Sequence, residues 1–527
     1  MFLLLVFSDK IHRTIFLFGC CALFLGVMLG TVPTSVPQFI LLGNWLLEGK
    51  FFAKWEKLKR NKLFWVLSAI FFIHVIGLSY SENLQDGLKD VRTKIPLILL
   101  PLIFFTTAPI TKKELHYLFY SFILGAFINI AWCLVYNKLL HDTETVRDVS
   151  RFMSHIRLGF LIDMAIIFCV YFVIHFDEFK LKAFFSSLVL YFIIGLYALG
   201  LMTGLANLII ITTLFLTFVL FKQSKLGFAI LSILFVSATA YFMNSIKNFY
   251  KENFDVKNVS VNQDLPLSRS GRVFDTYVFT NQVENGFIVC KNIQPLELQK
   301  EWNKRAPNDS FDLKTQYNID RYFTLVRYIS SKGEIKDSVS ISNLSKSDVL
   351  EVAKGISNIK YQKWSFFYKR VYELMYDYFE YKNNGSVNGH SFTMRLFYLK
   401  AALCAINEKW LFGTGTGDVQ DKMNECYEHS GSPLDKEWYK RPHNQFVTIV
   451  VALGLVGLGI FLLSLFFPVF YLRNQLDALY WLFFISAIVS FLFEDTLETQ
   501  SGLSFFAIFN TLFLSRAYFR KKQMLQD

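Results

Sequence analysis

The sequence predicts an all-α polytopic membrane protein of about twelve transmembrane helices, with a large α-rich insert on its outer face. Three observations predict it. Only 18% of the 527 residues are charged, against about 25% in a soluble globular chain. Apolar runs that reach the roughly 20 residues needed to cross a bilayer recur at both ends of the chain. Between them lies one polar stretch, 245–441, too long to be a connector.

Hydropathy places the spans near 14–32, 34–48, 63–79, 94–108, 115–138, 157–176, 182–200, 203–221, 226–244, 443–471, 476–493 and 500–516. The second and fourth are short, and the third contains His74. The first apolar run has no convincing cleavage site and is expected to be retained as a helix. The chain thus divides into spans one to nine (1–244), the polar insert (245–441), and spans ten to twelve with a tail (442–527). No repeat of solenoid length is visible.

Orientation follows from the basic loops. Residues 50–62, "KFFAKWEKLKRNK", hold six Lys or Arg against one Glu, and the tail has Arg516, Arg520, Lys521 and Lys522. Basic loops lie inside, so both termini are cytoplasmic, as are "HFDEFKLK" and "FKQSK". The insert and the loops "HDTETVRDVSRFMSH" and "EDTLETQ" then lie outside. Within the insert, "LSKSDVLEVAKGISN" and "KWSFFYKRVYELMYDYFEYK" have helical character, while "NGFIVCKNIQPLELQKEW" is mixed. A loop is expected at 381–391, before a helix starting near Phe392.

The net charge of +12 has its source in this asymmetry. With no DNA- or RNA-binding motif in the chain, membrane lipids rather than nucleic acid are the expected partners. The seven Cys are scattered without a C-x-x-C pair, so no metal is expected. Cys404 and Cys426 could pair in an oxidising compartment, a point that spacing does not decide.

Four polar clusters fall on the outer face. "SHIRLGFLID" carries His155, Arg157 and Asp163; "GHSFTMRLFYLKAALCAINEKWLFGTGTGD" carries His390, Arg395, the glycine run and Asp418. "RPHNQF" carries Arg441, His443 and Asn444, and "FLFEDTLETQSG" carries Glu494, Asp495 and Glu498. Each has a bland reading. Arg157 and Arg441 could snorkel to headgroups, and the acidic loop could be solvated. "GTGTGD" lacks the Lys-Ser/Thr of a nucleotide loop and reads as a tight turn, though its N–H groups could form an anion nest. Asp163 is the hardest to dismiss, because a carboxylate inside a span is costly. Together the clusters bring guanidinium groups suited to diphosphate oxygens to the same face as an imidazole able to take a hydroxyl proton.

"RPHNQFVTIVVALGLVGLGIFLL" resembles the signature of the O-antigen ligase and polymerase superfamily, a Pro-His-Asn-Gln motif leading into a Gly-rich span. "MRLFYLKAALCAINEKWLFGTGTGDV", "FEDTLETQSGLSFFAIF" and "SHIRLGF" are similar to further segments of that family. The resemblance implies a bacterial inner-membrane glycosyltransferase, like the C-type membrane enzymes. It would move a glycan from undecaprenyl diphosphate to an acceptor at the periplasmic face, inverting and without metal or cofactor. Ligases use a lipid A core sugar as acceptor, polymerases a growing glycan, and relatives a protein hydroxyl.

Carried onto this sequence, His443 would be the base or the group that orients the acceptor, and Arg395 would bind the diphosphate. Arg157 and Arg441 are further cations for the donor; Asn444, Asp418, Glu494, Asp495, Glu498, Asp163 and His390 are acceptor or supporting residues. Many family members carry an arginine in a "tGSRga"-like segment, which here reads "LMTGLANL" with none. Either Arg157 substitutes from a neighbouring helix, or the donor is held differently. A polymerase or a protein O-oligosaccharyltransferase of the same fold is the alternative within the enzyme class. Outside it, a transporter or flippase would use coupling groups at depth, for which only His74 and Asp163 stand out.

Overall fold

In the computed structural model the chain is helical almost throughout. The structure describes residues 8–136, 150, 152–275, 282–385 and 387–524. Much of the loop "HDTETVRDVSRFMSH" therefore lies outside the described residues.

In chain order the helices are α1 (Asp9–Leu29), α2 (Thr31–Leu47), α3 (Phe51–Lys59), α4 (Lys62–Leu78), α5 (Leu84–Lys94) and α6 (Pro96–Thr106). There follow α7 (Lys112–Tyr136), α8 (His155–His175), α9 (Phe179–Ala198), α10 (Met202–Gln223) and α11 (Lys225–Phe254). The polar stretch holds α12 (Pro295–Arg305), α13 (Ile319–Ser331), α14 (Ser338–Ser342), α15 (Lys346–Ala353) and α16 (Phe366–Asn384). Last are α17 (Ser391–Glu408), α18 (Val419–His429), α19 (Gln445–Leu472), α20 (Ala478–Phe493) and α21 (Gln500–Met524).

A helix stands at every one of the predicted spans. Among the described residues, however, only seven helices are long and apolar enough to cross a membrane: α1, α7, α8, α9, α10, α11 and α19. The difference lies in length, in direction and, for the 25-residue α21, in hydropathy. α2, α6 and α20 have 17, 11 and 16 residues, and α3 bends by 91° from α4. The protein is an all-α polytopic membrane protein with seven such helices in its described part, or eight if the bent pair is one span.

Two compact units divide the chain. The first comprises Met1–Gln223, Phe397–Ser432 and Tyr439–Asp527; the second comprises Ser224–Leu396 and Pro433–Trp438.

The first unit is built around α21. Every residue from Ser501 to Ser515 is buried, the polar Ser501, Ser504, Asn510, Thr511 and Ser515 among them. Phe509 at its centre meets Phe24 of α1, Phe122 of α7 and Phe168 of α8 at ring-centroid distances of 5.3, 5.1 and 5.6 Å. In lipid there is little hydrophobic drive between helices, so close approach depends on small residues and polar contacts. α8 and α10 use both. A Cβ on Gly159 would stand 2.8 Å from the Gly204 nitrogen. One turn deeper, Asn207 donates to Asp163 at 2.7 Å and to Ser486 of α20 at 3.0 Å.

α19 is broken at Gly454, whose φ of 65° and ψ of −167° interrupt the helix. The glycine run 413–417 packs into this break through main-chain bonds. Thr414 and Gly415 donate to the Val451 and Ala452 carbonyls, both at 2.9 Å, and Leu455 donates to Trp410 at 2.9 Å. Backbones this close leave no room for side chains: a Cβ on Gly454 would lie 2.2 Å from the Leu411 carbonyl carbon. Cys404 on α17 and Cys426 on α18 form a disulfide, Cα–Cα 5.9 Å, closing the loop that contains the glycine run.

The second unit holds α11 and most of the polar stretch. The mixed segment resolves into an antiparallel pair, Val283–Glu284 with Phe287–Ile288, turned by Asn285 and Gly286 at φ 54° and 86°. Such Asn-Gly turns match the twist of the strands they join. α15 starts from a capping box of Ser345 and Asp348. α16 runs through Asn384 to a left-handed Gly385, so the loop before α17 is shorter than the sequence suggests. The core gathers Trp302, Tyr328, Phe311 and Leu325. Buried Glu284 accepts from Arg327 at 2.7 Å, Tyr372 at 2.5 Å and Asn358 at 2.8 Å. Lys336, also buried, donates to the carbonyls of Ile288 and Lys291 at 2.9 and 2.6 Å. Burial drives its ammonium down to about 7.

Candidate active site

α19 starts from the stretch Arg441–Gln445. Asn444 caps it, its side-chain oxygen accepting from the Val447 amide at 3.1 Å while Nδ2 donates to the Leu492 carbonyl at 3.1 Å. The turn into this cap puts His443 at φ 52°, a left-handed backbone that costs a non-glycine residue about 1–3 kcal/mol. Its amide is held by Asp495 at 3.1 Å. The imidazole is 33% exposed, and its ring lies 5.6 Å from that of Tyr398.

The acidic loop between α20 and α21 faces this turn. Glu494 Oε2 lies 3.8 Å from His443 Nδ1 and 3.8 Å from Arg157 Nη2. Those separations exceed hydrogen-bond length. Among the described residues, His443 Nδ1 and Arg157 Nε are buried nitrogens without a hydrogen-bond partner. Asp495 accepts from the Thr448 hydroxyl at 2.6 Å. Glu498 is the most heavily engaged: Lys94, Arg441 and Gln445 donate to it at 3.0, 2.9 and 3.0 Å. Gln445 in turn accepts from the Leu497 amide at 2.6 Å.

Lys94 was not among the expected residues. Its side chain is 0% exposed, and it also donates to both Asp90 oxygens, at 2.8 and 2.7 Å. In the sequence, Lys94 stands at the first residue of the expected span 94–108, with Asp90 four positions before it. Nothing local marks a partner 404 positions away.

Burial pushes the Asp495 carboxyl above its usual range, with the Thr448 hydrogen bond pulling the other way. Burial acts in the same direction on Glu498, but Lys94 and Arg441 overcome it and hold that carboxyl well below the carboxylate range. Arg441 and Lys94 are raised in return: burial works against their charge, while Glu498 and Asp90 favour it. Glu498 is therefore a fixed anion between two fixed cations.

Asp163 and Asp418, in the same unit, have other partners. Asp163 is buried against Asn207 of α10 and is part of the α8–α10 contact. Asp418 accepts from the amides of Glu82 and Asn83 at 2.9 and 2.7 Å, securing the loop ahead of α5. The anion-nest reading of "GTGTG" fails because the N–H groups are already spent. Thr414 and Gly415 bond the broken helix, and Thr416 and Gly417 bond the Gly77 carbonyl and Ser81. His74 has Nδ1 2.7 Å from the Ile70 carbonyl of its own helix. His390 and Arg395 belong to the second unit; there His390 Nδ1 meets Asp377 at 2.8 Å, a contact that raises its imidazole. The metal-like group of Cys404, Glu408 and Cys426 has its two sulfurs bonded to each other.

Residues 355–462 match the family model described as O-antigen ligase, which supports a place for the chain in that superfamily. The match takes in α17, the glycine run and the start of α19. No curated protein matches the chain.

Proposed function

Taking the chain as one of the O-antigen ligase superfamily, we propose that it is an inverting glycosyltransferase of the cell envelope. It transfers a glycan from undecaprenyl diphosphate to an acceptor hydroxyl, such as a lipid A core sugar, at the periplasmic face of the inner membrane. The observation that carries this reading is the shared position of His443 and Arg157 around Glu494. An imidazole and a guanidinium each stand 3.8 Å from one carboxylate oxygen. A proton acceptor and a site for developing anionic charge are thereby set side by side.

In the proposed reaction His443 Nε2 takes the proton of the acceptor hydroxyl as its oxygen attacks the anomeric carbon. The bond from that carbon to the diphosphate oxygen breaks, and the leaving group departs with the electron pair. Glu494, on the Nδ1 side, stabilises the imidazolium that forms. Arg157 meets the negative charge that grows on the diphosphate, preorganised where it develops. The α8–α10 contact supports this role. Gly159 touches Gly204 within "LMTGLANL", so Arg157 stands next to the segment where family members carry their arginine. Arg441 is bound to Glu498 through Nη1, so its first task is to hold the turn, with the diphosphate second. For Arg395, which lies in the matched segment and in the second unit, the diphosphate role rests on the sequence resemblance alone.

The test is transfer in proteoliposomes from a defined lipid diphosphate to a panel of acceptors. His443→Ala is expected to lower the rate by about 10²–10⁴ at unchanged protein level, and Arg157→Ala and Arg395→Ala to lower it as well. Wild-type rates in His443→Ala would overturn the assignment.

A further inference from the structure

The end of the first unit remote from His443 carries a different kind of site. α3 lies at 91° to α4, and between them, α2 and α6 opens an aromatic groove of about 380 Å³, a size within the usual range for ligand sites. Three tryptophans line it, Trp45, Trp55 and Trp65, together with Phe51, Phe64 and Phe72. Trp55 and Trp65 meet edge to face at 6.2 Å, and Trp65 stacks on Phe72 at 6.4 Å. The one charged lining residue, Lys54, is satisfied within the protein. It pairs with Glu48 at 2.8 Å, donates to the Trp45 carbonyl at 2.7 Å and sits 4.5 Å above the Trp45 ring. The groove itself therefore suits an uncharged chain.

Its rim is another matter. Lys57 donates to the Thr106 carbonyl at 2.8 Å and Lys59 pairs with Glu56 at 2.7 Å, while Arg60 and Lys62 are exposed just after α3. A helix turned across its neighbouring span, with apolar rings on one side and cations on the other, lies in the plane of the membrane surface. Tryptophan belongs at that depth, and clustered Lys and Arg there attract anionic headgroups.

We infer that this groove binds one anionic diacyl phospholipid, an acyl chain lying among the tryptophans and the phosphate against Arg60, Lys62 and their neighbours. The charge of the rim is what selects an anionic lipid over a zwitterionic one. This lipid is not the glycan donor. α4 runs 17 residues from Lys62 to Leu78, about 25 Å at 1.5 Å per residue, and its far end packs on the glycine run, where Thr416 bonds the His74 carbonyl at 2.7 Å. The groove thus lies at the end of α4 opposite to the one that packs on the glycine run and, through it, on α19.

The test is native mass spectrometry of the full-length protein, titrated with dioleoylphosphatidylglycerol or dioleoylphosphatidylcholine, which share their acyl chains. The wild type is expected to retain one phosphatidylglycerol at several-fold higher occupancy than phosphatidylcholine. Arg60→Gln with Lys62→Gln, at exposed positions outside the packed interior, brings phosphatidylglycerol down to the phosphatidylcholine level. Trp65→Ala lowers retention of both. Equal retention of the two lipids by the wild type, or undiminished preference in the Arg60→Gln, Lys62→Gln protein, would overturn the inference.

Discussion

Lys94 is the side chain on which the charges behind the His443 turn depend. With no exposure and two carboxylates against it, it has no water to fall back on. Removing one partner of a buried ion pair leaves the other uncompensated, at a cost of about 3–5 kcal/mol. Lys94→Met is expected to lose that much in unfolding measurements on detergent-solubilised protein. Adding Asp90→Asn, which leaves Arg441 and Glu498 as a balanced pair, recovers most of it. A double variant as unstable as the single would show that Lys94 acts by packing alone.

Among the elements, the broken α19 and the hairpin of the second unit give opposite lessons about backbone and charge. Gly454→Ala adds a methyl group at a positive φ and into the Leu411 carbonyl carbon. It should cost more than the roughly 1–3 kcal/mol of backbone strain alone and lower transfer activity with it. Gly459→Ala, on the same helix with open space around its Cβ position, is the control and should be close to neutral. Beside the hairpin, buried Lys336, which donates to the Ile288 carbonyl, sits at about 7 instead of its usual 10.5. Its folded-state value is depressed, so between those two pH values the unfolded chain binds more protons, and stability rises with pH across that window. Below about pH 7 the lysine is charged in both states and its penalty is complete. Hydrogen exchange of the amides around Ile288 and Lys291 should therefore slow from pH 7 to 10, after correction for intrinsic rates, and Lys336→Met should remove that trend.

At the scale of the whole molecule, the disulfide between α17 and α18 reports on sidedness, since such bonds persist in oxidising compartments. Its loss should cost about 3 kcal/mol for a loop of this length, read as a lower melting point in reductant. On intact spheroplasts, reductant followed by a membrane-impermeant maleimide should tag the partly exposed Cys404; tagging only after permeabilisation would place that loop inside. Much of this architecture was legible in the sequence because membrane spans and helix caps are local signals. The periodic polar stretch likewise announced α15 and α16. The cluster of His443, Arg441, Glu494, Asp495 and Glu498 was visible as separate motifs. Its missing member was Lys94, whose importance comes only from burial against a remote loop. Asp418 accepts from two backbone amides, while Asp163 has one oxygen on Asn207 and the other buried without a hydrogen-bond partner among the described residues. The groove at α3 has no local signature, because a basic run looks the same in sequence whether or not it turns across its neighbours.

The span between Lys94 and Glu498 also has a meaning in time. The two are 404 residues apart, and translation at about 5–20 residues per second takes roughly 20–80 seconds to cover that distance. Throughout that interval Asp90 is the only one of Lys94's two acidic partners that has been made. Arg441 and His443 appear only near its end, shortly before the loop that holds them. A product stopped before Glu494 lacks the carboxylates that face Arg157, His443 and Lys94 in this structure.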